Sequence, residues 1–146
     1  MDLSGLKWPV IILVIIGVIW LLSSGGVSWM EQNFTKATPG VDPARDKTDE
    51  AGLTRLGGYL LALWRYEHAA RVMETAIARY GMDGPNYWYN HYRLVKCYEK
   101  MEDYQRAYNV LMQLVAASAH QYDKRVPEND NLSLRASKLK EIHELQ

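Results

Sequence analysis

Between Trp8 and Trp29 the chain carries no charged side chain. In water such a run would have to bury itself on every side, whereas a helix in a bilayer satisfies its own backbone and exposes apolar side chains at no cost. The 21 steps from residue 8 to residue 29, at about 1.5 Å each, give roughly 31 Å of helix against a hydrocarbon core of roughly 30 Å. Pro9 suits a first helical turn, with Ser4 or Gly5 at the cap. Trp8 and Trp29 fall where indole rings favour the two membrane interfaces, and Trp20 lies within the run. A secretory signal also begins with a basic residue and an apolar stretch. This run is longer than a signal core, and the expectation is a retained anchor carrying Trp8, Gly17, Trp20, Gly25, Gly26 and Trp29. Gly17 and Ser23-Ser24-Gly25-Gly26 mark either a close-approach face for a neighbouring helix or a fraying, cleavage-like end.

The rest of the chain is of ordinary soluble composition. Over the whole 146 residues 17 Lys plus Arg balance 17 Asp plus Glu, which argues against nucleic acid as a partner. One cysteine, Cys97, excludes an intrachain disulfide framework and a four-cysteine zinc site. Ten Tyr and five Trp stand against a single Phe, so much of the aromatic surface has a polar tip that needs a partner. Glu31 to about Lys47, with Pro39, Gly40 and Pro43, reads as a linker, and Asn33-Phe34-Thr35 matches a glycosylation sequon. The expected division is an anchor over 1–30, a linker over 31–48 and one helical domain over 49–146.

From Asp49 onward apolar residues recur at three and four, with no strict alternation. Helices are expected near Glu50–Trp64, Glu67–Tyr80, Pro85–Lys100 and Asp103–Gln121, with Gly81 as a left-handed C-terminal cap, Pro85 in a first turn and Asp103 as an N-cap. A fifth helix, capped by Asp130 or Asn131, is expected to turn Leu132, Ala136, Leu139, Ile142 and Leu145 inward and Arg135, Lys138 and Glu141 outward. The fold class is therefore all-α.

Leu56, Tyr66, Ala69, Met73 and Ala76 match Leu94, Tyr104, Ala107, Leu111 and Leu114 at one constant offset, 38 residues (94 − 56 = 114 − 76). The Leu56-Gly57 pair with Ala69, Met73 and Ala76 resembles the tetratricopeptide repeat, a helix–turn–helix unit with Leu-Gly in its first helix and small residues in its second. The resemblance covers about Glu50 to Tyr122. Val95 and Leu114 depart from it, as do the 38-residue period and the missing proline near Gly81. It implies two repeats, about 50–81 and 86–122, a capping helix near 131–145, and a concave face lined by the first helix of each pair.

The residues point to binding rather than catalysis. His68, His91, His120 and His143 stand on separate helical segments without metal-ligand spacing, Cys97 lacks a His-Asn or His-Asp motif and reads as buried filler, and no phosphate loop or nucleophile elbow occurs. No enzyme activity, cofactor, metal or small-molecule substrate is expected. Tyr89, Tyr92, Lys96 and Lys100 share one face of the third soluble helix; by the resemblance they border the groove and offer rigid contact area and positive charge. The same four also fit a solvated face with tyrosines packed on neighbours. Tyr87 and Trp88 add to the aromatic cluster after Pro85, while Thr54, Gly58, Leu61 and Ala62 form the equivalent face of the first repeat. The expected function is an accessory or assembly subunit of a membrane protein complex, with a membrane-tethered peptide-binding co-chaperone as the alternative. Its partners are other membrane protein subunits and, through one helix, the lipid bilayer. Lys7 on one side against Lys36, Arg45 and Lys47 farther off on the other leaves the positive-inside count nearly balanced, and the short Lys-bearing amino terminus before the apolar run sets the expectation: amino terminus inside and the domain on the far side, the periplasmic face of a bacterial inner membrane.

Overall fold

A computed structural model describes residues 4–34 and 41–146. All regular structure among them is helical: α1 Ser4–Leu22, α2 Ser24–Phe34, α3 Pro43–Ala62, α4 Tyr66–Tyr80, α5 Tyr87–Lys100, α6 Tyr104–Ala116 and α7 Asn129–His143, with single 3-10 turns at Gly81–Asp83 and Ala119–Gln121. The chain divides into two compact units near residue 36.

In the first unit the apolar run is not one helix from Trp8 to Trp29. Its spanning-length part is the 18 residues Gly5–Leu22, of mean hydropathy 2.3 and wholly exposed, and the helix breaks at Ser23. The Ser23 hydroxyl donates to the Trp20 carbonyl at 2.5 Å and accepts the Gly26 N–H at 3.3 Å, so it both closes α1 and caps α2 in the manner of an N-cap serine bonding N3. A Cβ on Gly26 would lie 2.3 Å from the Trp20 carbonyl oxygen. Only glycine permits this approach.

In the second unit α3 begins at Pro43, seven residues before the expected Glu50, because Asp42 caps it: Asp42 Oδ1 accepts the Ala44 and Arg45 N–H groups at 3.1 and 3.4 Å, and Pro43 occupies the first helical position. Glu31–Phe34 and Pro43–Thr48 are thus helical rather than linker; residues 35–40, with the last residue of the sequon, lie outside the described residues. Pro85 precedes α5 rather than opening it. Asp103 caps α6 as expected, accepting the Arg106 N–H at 3.2 Å. The helix ends at Ala116 rather than Gln121, because Ser118 turns left-handed at φ 50 and ψ 49. α7 begins at Asn129, before both expected caps.

The hairpins α3–α4 and α5–α6 turn alike. Trp64 and Glu102 have φ of 58 and 61, and Arg65 and Asp103 share φ −92 with ψ of 66 and 68. Arg65 N–H bonds Leu60 O and Trp64 N–H bonds Leu61 O; Asp103 bonds Tyr98 and Glu102 bonds Glu99 in the same way. Both are Schellman closures, in which a left-handed residue lets two amides reach back to the last carbonyls. Equivalent positions are again 38 apart (102 − 64).

Each helix packs on the next from α3 to α7. Ala69, Met73, Ala76, Leu94, Ala107, Leu111 and Leu114 are all at most 3 % exposed, and each Leu of this kind contributes about 1.5–3 kcal/mol by leaving water. A Cβ on Gly57 would touch Met73 at 3.0 Å, so the pairing of α3 with α4 uses the missing side chain. On α7, Leu132 and Ala136 are 1 % exposed, but Ile142 is 70 % exposed and does not belong to the buried stripe. His143 turns inward instead and stacks on Tyr104, ring centroids 3.5 Å apart. Arg135 also points inward, placing two guanidinium nitrogens 3.2 and 2.6 Å from the Glu99 carboxylate of α5.

Candidate functional site

A polar seam joins α3 to α5. Glu50 is 2 % exposed and accepts from the Asn86 N–H at 3.1 Å and the Asn86 side-chain amide at 2.8 Å. One turn on, Asn90, 1 % exposed, donates to the Thr54 hydroxyl at 3.0 Å, which itself donates to the Glu50 carbonyl at 2.9 Å. Glu50 and Thr54, like Asn86 and Asn90, are four apart, so one helical face of each element forms the seam.

At its outer edge two guanidinium groups lie over the Tyr89 ring, Arg125 at 4.2 Å and Arg93 at 4.9 Å from its centre, each in a cation–π arrangement. Arg125 is tied to Asp123 at 2.7 Å and to Asn86 Oδ1 at 2.8 Å, and this bond holds the Asp123 carboxyl below its ordinary range. Arg93 donates to the Thr54 carbonyl at 3.0 Å and has no carboxylate partner among the described residues. Burial lowers its pKa, and Arg125 pushes in the same direction. Its guanidinium lies over Gly58, where a Cβ would come within 2.5 Å. A half-buried cation without a counter-ion is a candidate anion contact.

Tyr89 is half-buried, and Lys96 and Lys100 are exposed farther along α5. Tyr92 is drawn aside toward α7, under Arg135 at 5.9 Å. Arg93, Arg125, Asn86 and Asn90 were missed at the sequence level. Arg93 follows Tyr89 by four and was within reach of a spacing argument; Arg125 comes from a segment without periodicity and was not. His91 packs against Tyr87 and Trp88, with ring centroids 4.5 and 5.9 Å away, and burial lowers its pKa. Trp88 in turn stacks on Tyr122 at 6.1 Å.

Beneath the amino-terminal end of α3, Pro43, Lys47, Glu50, Arg79, Tyr80 and Pro85 line an open cleft of ≈ 560 Å³. Asp49, 3 % exposed, accepts from Arg79 at 2.9 Å and from the Tyr80 hydroxyl. Cys97 is buried without a disulfide partner, and burial pushes its thiol up to about 11. Among the described residues no three His, Cys, Asp or Glu side chains come together to hold a metal ion.

Of the residues expected in an anchor, Trp8 is 72 % exposed and a Cβ on Gly17 would meet nothing within 4 Å. Gly25 lies near Ser23 and the Trp20 indole, and Gly26 is consumed by the corner. Trp20 and Trp29 pack on each other, centroids 5.8 Å apart.

Comparison with protein-family models, with curated proteins and with solved structures finds no match for this chain.

Proposed function

We propose that this chain is a single-pass membrane protein whose tetratricopeptide-like hairpins bind other proteins beside the bilayer, as an accessory or assembly subunit of a membrane complex. The observation that carries this reading is the pairing, in one chain, of a fully exposed 18-residue apolar helix with helical hairpins whose closures share one geometry. The first needs a lipid environment to cover it. The second makes the stacked scaffold that presents first-helix faces to partners, with α7 as its cap. Tethering confines the domain to one membrane and raises its effective concentration toward partners there. The short Lys-bearing amino terminus ahead of the apolar run supports an internal amino terminus with the domain on the far side, the periplasm in a bacterium.

The test is affinity isolation of the detergent-extracted full chain. Stoichiometric membrane subunits that remain after washing support the reading, and loss of those partners in a Tyr89→Ala/Lys96→Glu variant assigns the contact to α5. A chain released from membranes by alkaline carbonate, or found cleaved after Ser23–Gly26, overturns the anchor.

Arg93 favours a second reading, a membrane-tethered co-chaperone that takes acidic peptide segments. Transient binding of an acidic peptide, lost in Arg93→Ala and without stable subunits, selects it over the first.

A further inference from the structure

From the corner between α1 and α2 we infer that α2 lies along the lipid headgroup layer, locked there by Ser23 and Gly26, and does not continue the span. The inference rests on the reading of α1 as a transmembrane helix.

Three observations lead to it. The apolar window Gly5–Leu22 is about 27 Å long as a helix, of the length that spans a hydrocarbon core once Lys7 near its start extends its ammonium back to the interface. Everything after Leu22 therefore starts at the boundary. Second, the helix does not run on straight past that point. In a straight helix Trp20 and Trp29, nine residues apart, would be separated by about 13 Å along the axis, but their rings lie 5.8 Å apart. The bend is held by Ser23, bonded to both Trp20 and Gly26, and by an approach so close that a Cβ at residue 26 would lie 2.3 Å from the Trp20 carbonyl oxygen.

Third, α2 has the composition of an interfacial element. Its 11 residues are too few to cross, Ser24, Ser28 and Gln32 recur at i, i+4 and i+8 as a polar stripe, and Glu31 is its one ionisable residue. Trp20 and Trp29 are 46 % and 45 % exposed, a paired indole surface of the kind that prefers the headgroup level. The partner that fits is the zwitterionic headgroup region of a bilayer, which takes short helices with a polar stripe and interfacial indoles lying in its plane.

The test uses the full chain in vesicles of phosphatidylcholine and phosphatidylglycerol, with Cys97→Ser and one nitroxide label introduced at Ser24→Cys, Ser28→Cys or Gln32→Cys. Depths come from collision with oxygen and a nickel chelate. All three labels are expected at the phosphate level, within about 4 Å of one another. A steady change of about 1.5 Å per residue, near 12 Å from residue 24 to 32, is the signature of a continuing helix and overturns the inference. Adding Gly26→Val is expected to produce that gradient; equal depths in this variant would show that the corner is not what holds α2. A label at Val14→Cys separates the two levels of failure. If it is accessible to the nickel chelate, α1 does not span and both readings fall; if it is deep while α2 is graded, only the present one does.

Discussion

Asn90 of α5 donates its side-chain amide to the Thr54 hydroxyl of α3 at 3.0 Å, with both residues buried. This bond and the Glu50–Asn86 pair one turn away set the register of the two first helices, since apolar packing alone tolerates a slip that these directional contacts do not. Thr54→Val keeps the shape and leaves the Asn90 amide unpaired, so a loss of about 1–3 kcal/mol is expected. Urea unfolding of the full chain measures it, and an unchanged midpoint would remove the seam from the account of stability.

The revised α7 face predicts an asymmetry. Leu132→Ala removes a side chain that is 1 % exposed and is expected to cost about 2–5 kcal/mol. Ile142→Ala alters a residue that is 70 % exposed and should stay within about 0.5 kcal/mol. Equal costs at the two positions would contradict the packing of α7.

Gly81 has φ 56 and ψ −151, a region that side chains other than hydrogen avoid. An added Cβ would touch nothing within 4 Å, so Gly81→Ala isolates the backbone cost, expected at about 1–3 kcal/mol. Gly58→Ala is the counter-case. Its Cβ would meet only the end of the Arg93 side chain, so thermal stability should hold while the Arg93–Tyr89 stack is lost. A calorimetric scan ranks the two, and the reverse order would refute this account.

Rising alkaline pH should destabilise the domain. The Tyr80 hydroxyl donates to Asp49 and the Tyr98 hydroxyl to Glu74, and burial, followed by these bonds, raises both phenols from 10.0 to about 12. Burial likewise raises Cys97 to about 11. A folded-state value above the unfolded one means the stabilisation is complete below the unfolded value and declines as pH rises toward the folded one. The urea midpoint should therefore begin to fall near pH 9, as Cys97 ionises in the unfolded chain, and continue falling to about 12. A midpoint flat from pH 8 to 11 would rule this out. In native protein at pH 8, Cys97 should react with a thiol reagent only as fast as the domain opens.

Much of the architecture was legible in the chain because it depends on local chemistry. A charge-free run makes an exposed apolar helix, three-four periodicity makes amphipathic helices, and the 38-residue correspondence reappears in the paired closures at Trp64 and Glu102 because each turn is built from its own few residues. The Asp42-Pro43 start of α3 was equally local, but was masked by the prolines and glycine around it. What only the tertiary structure decided was wherever two distant segments had to meet. Arg125 reaches Tyr89 from a stretch with no periodic signal. Arg135 turns inward because Glu99 waits on α5, and Ile142 yields its place to His143 because Tyr104 offers a ring to stack on. The apolar run breaks at Ser23 because its hydroxyl closes one helix as it caps the next, and because Gly26 lets the chain come back against Trp20. Periodicity assigns a residue to a face, but the energy of that face depends on what lies opposite it, and that is a property of the folded chain.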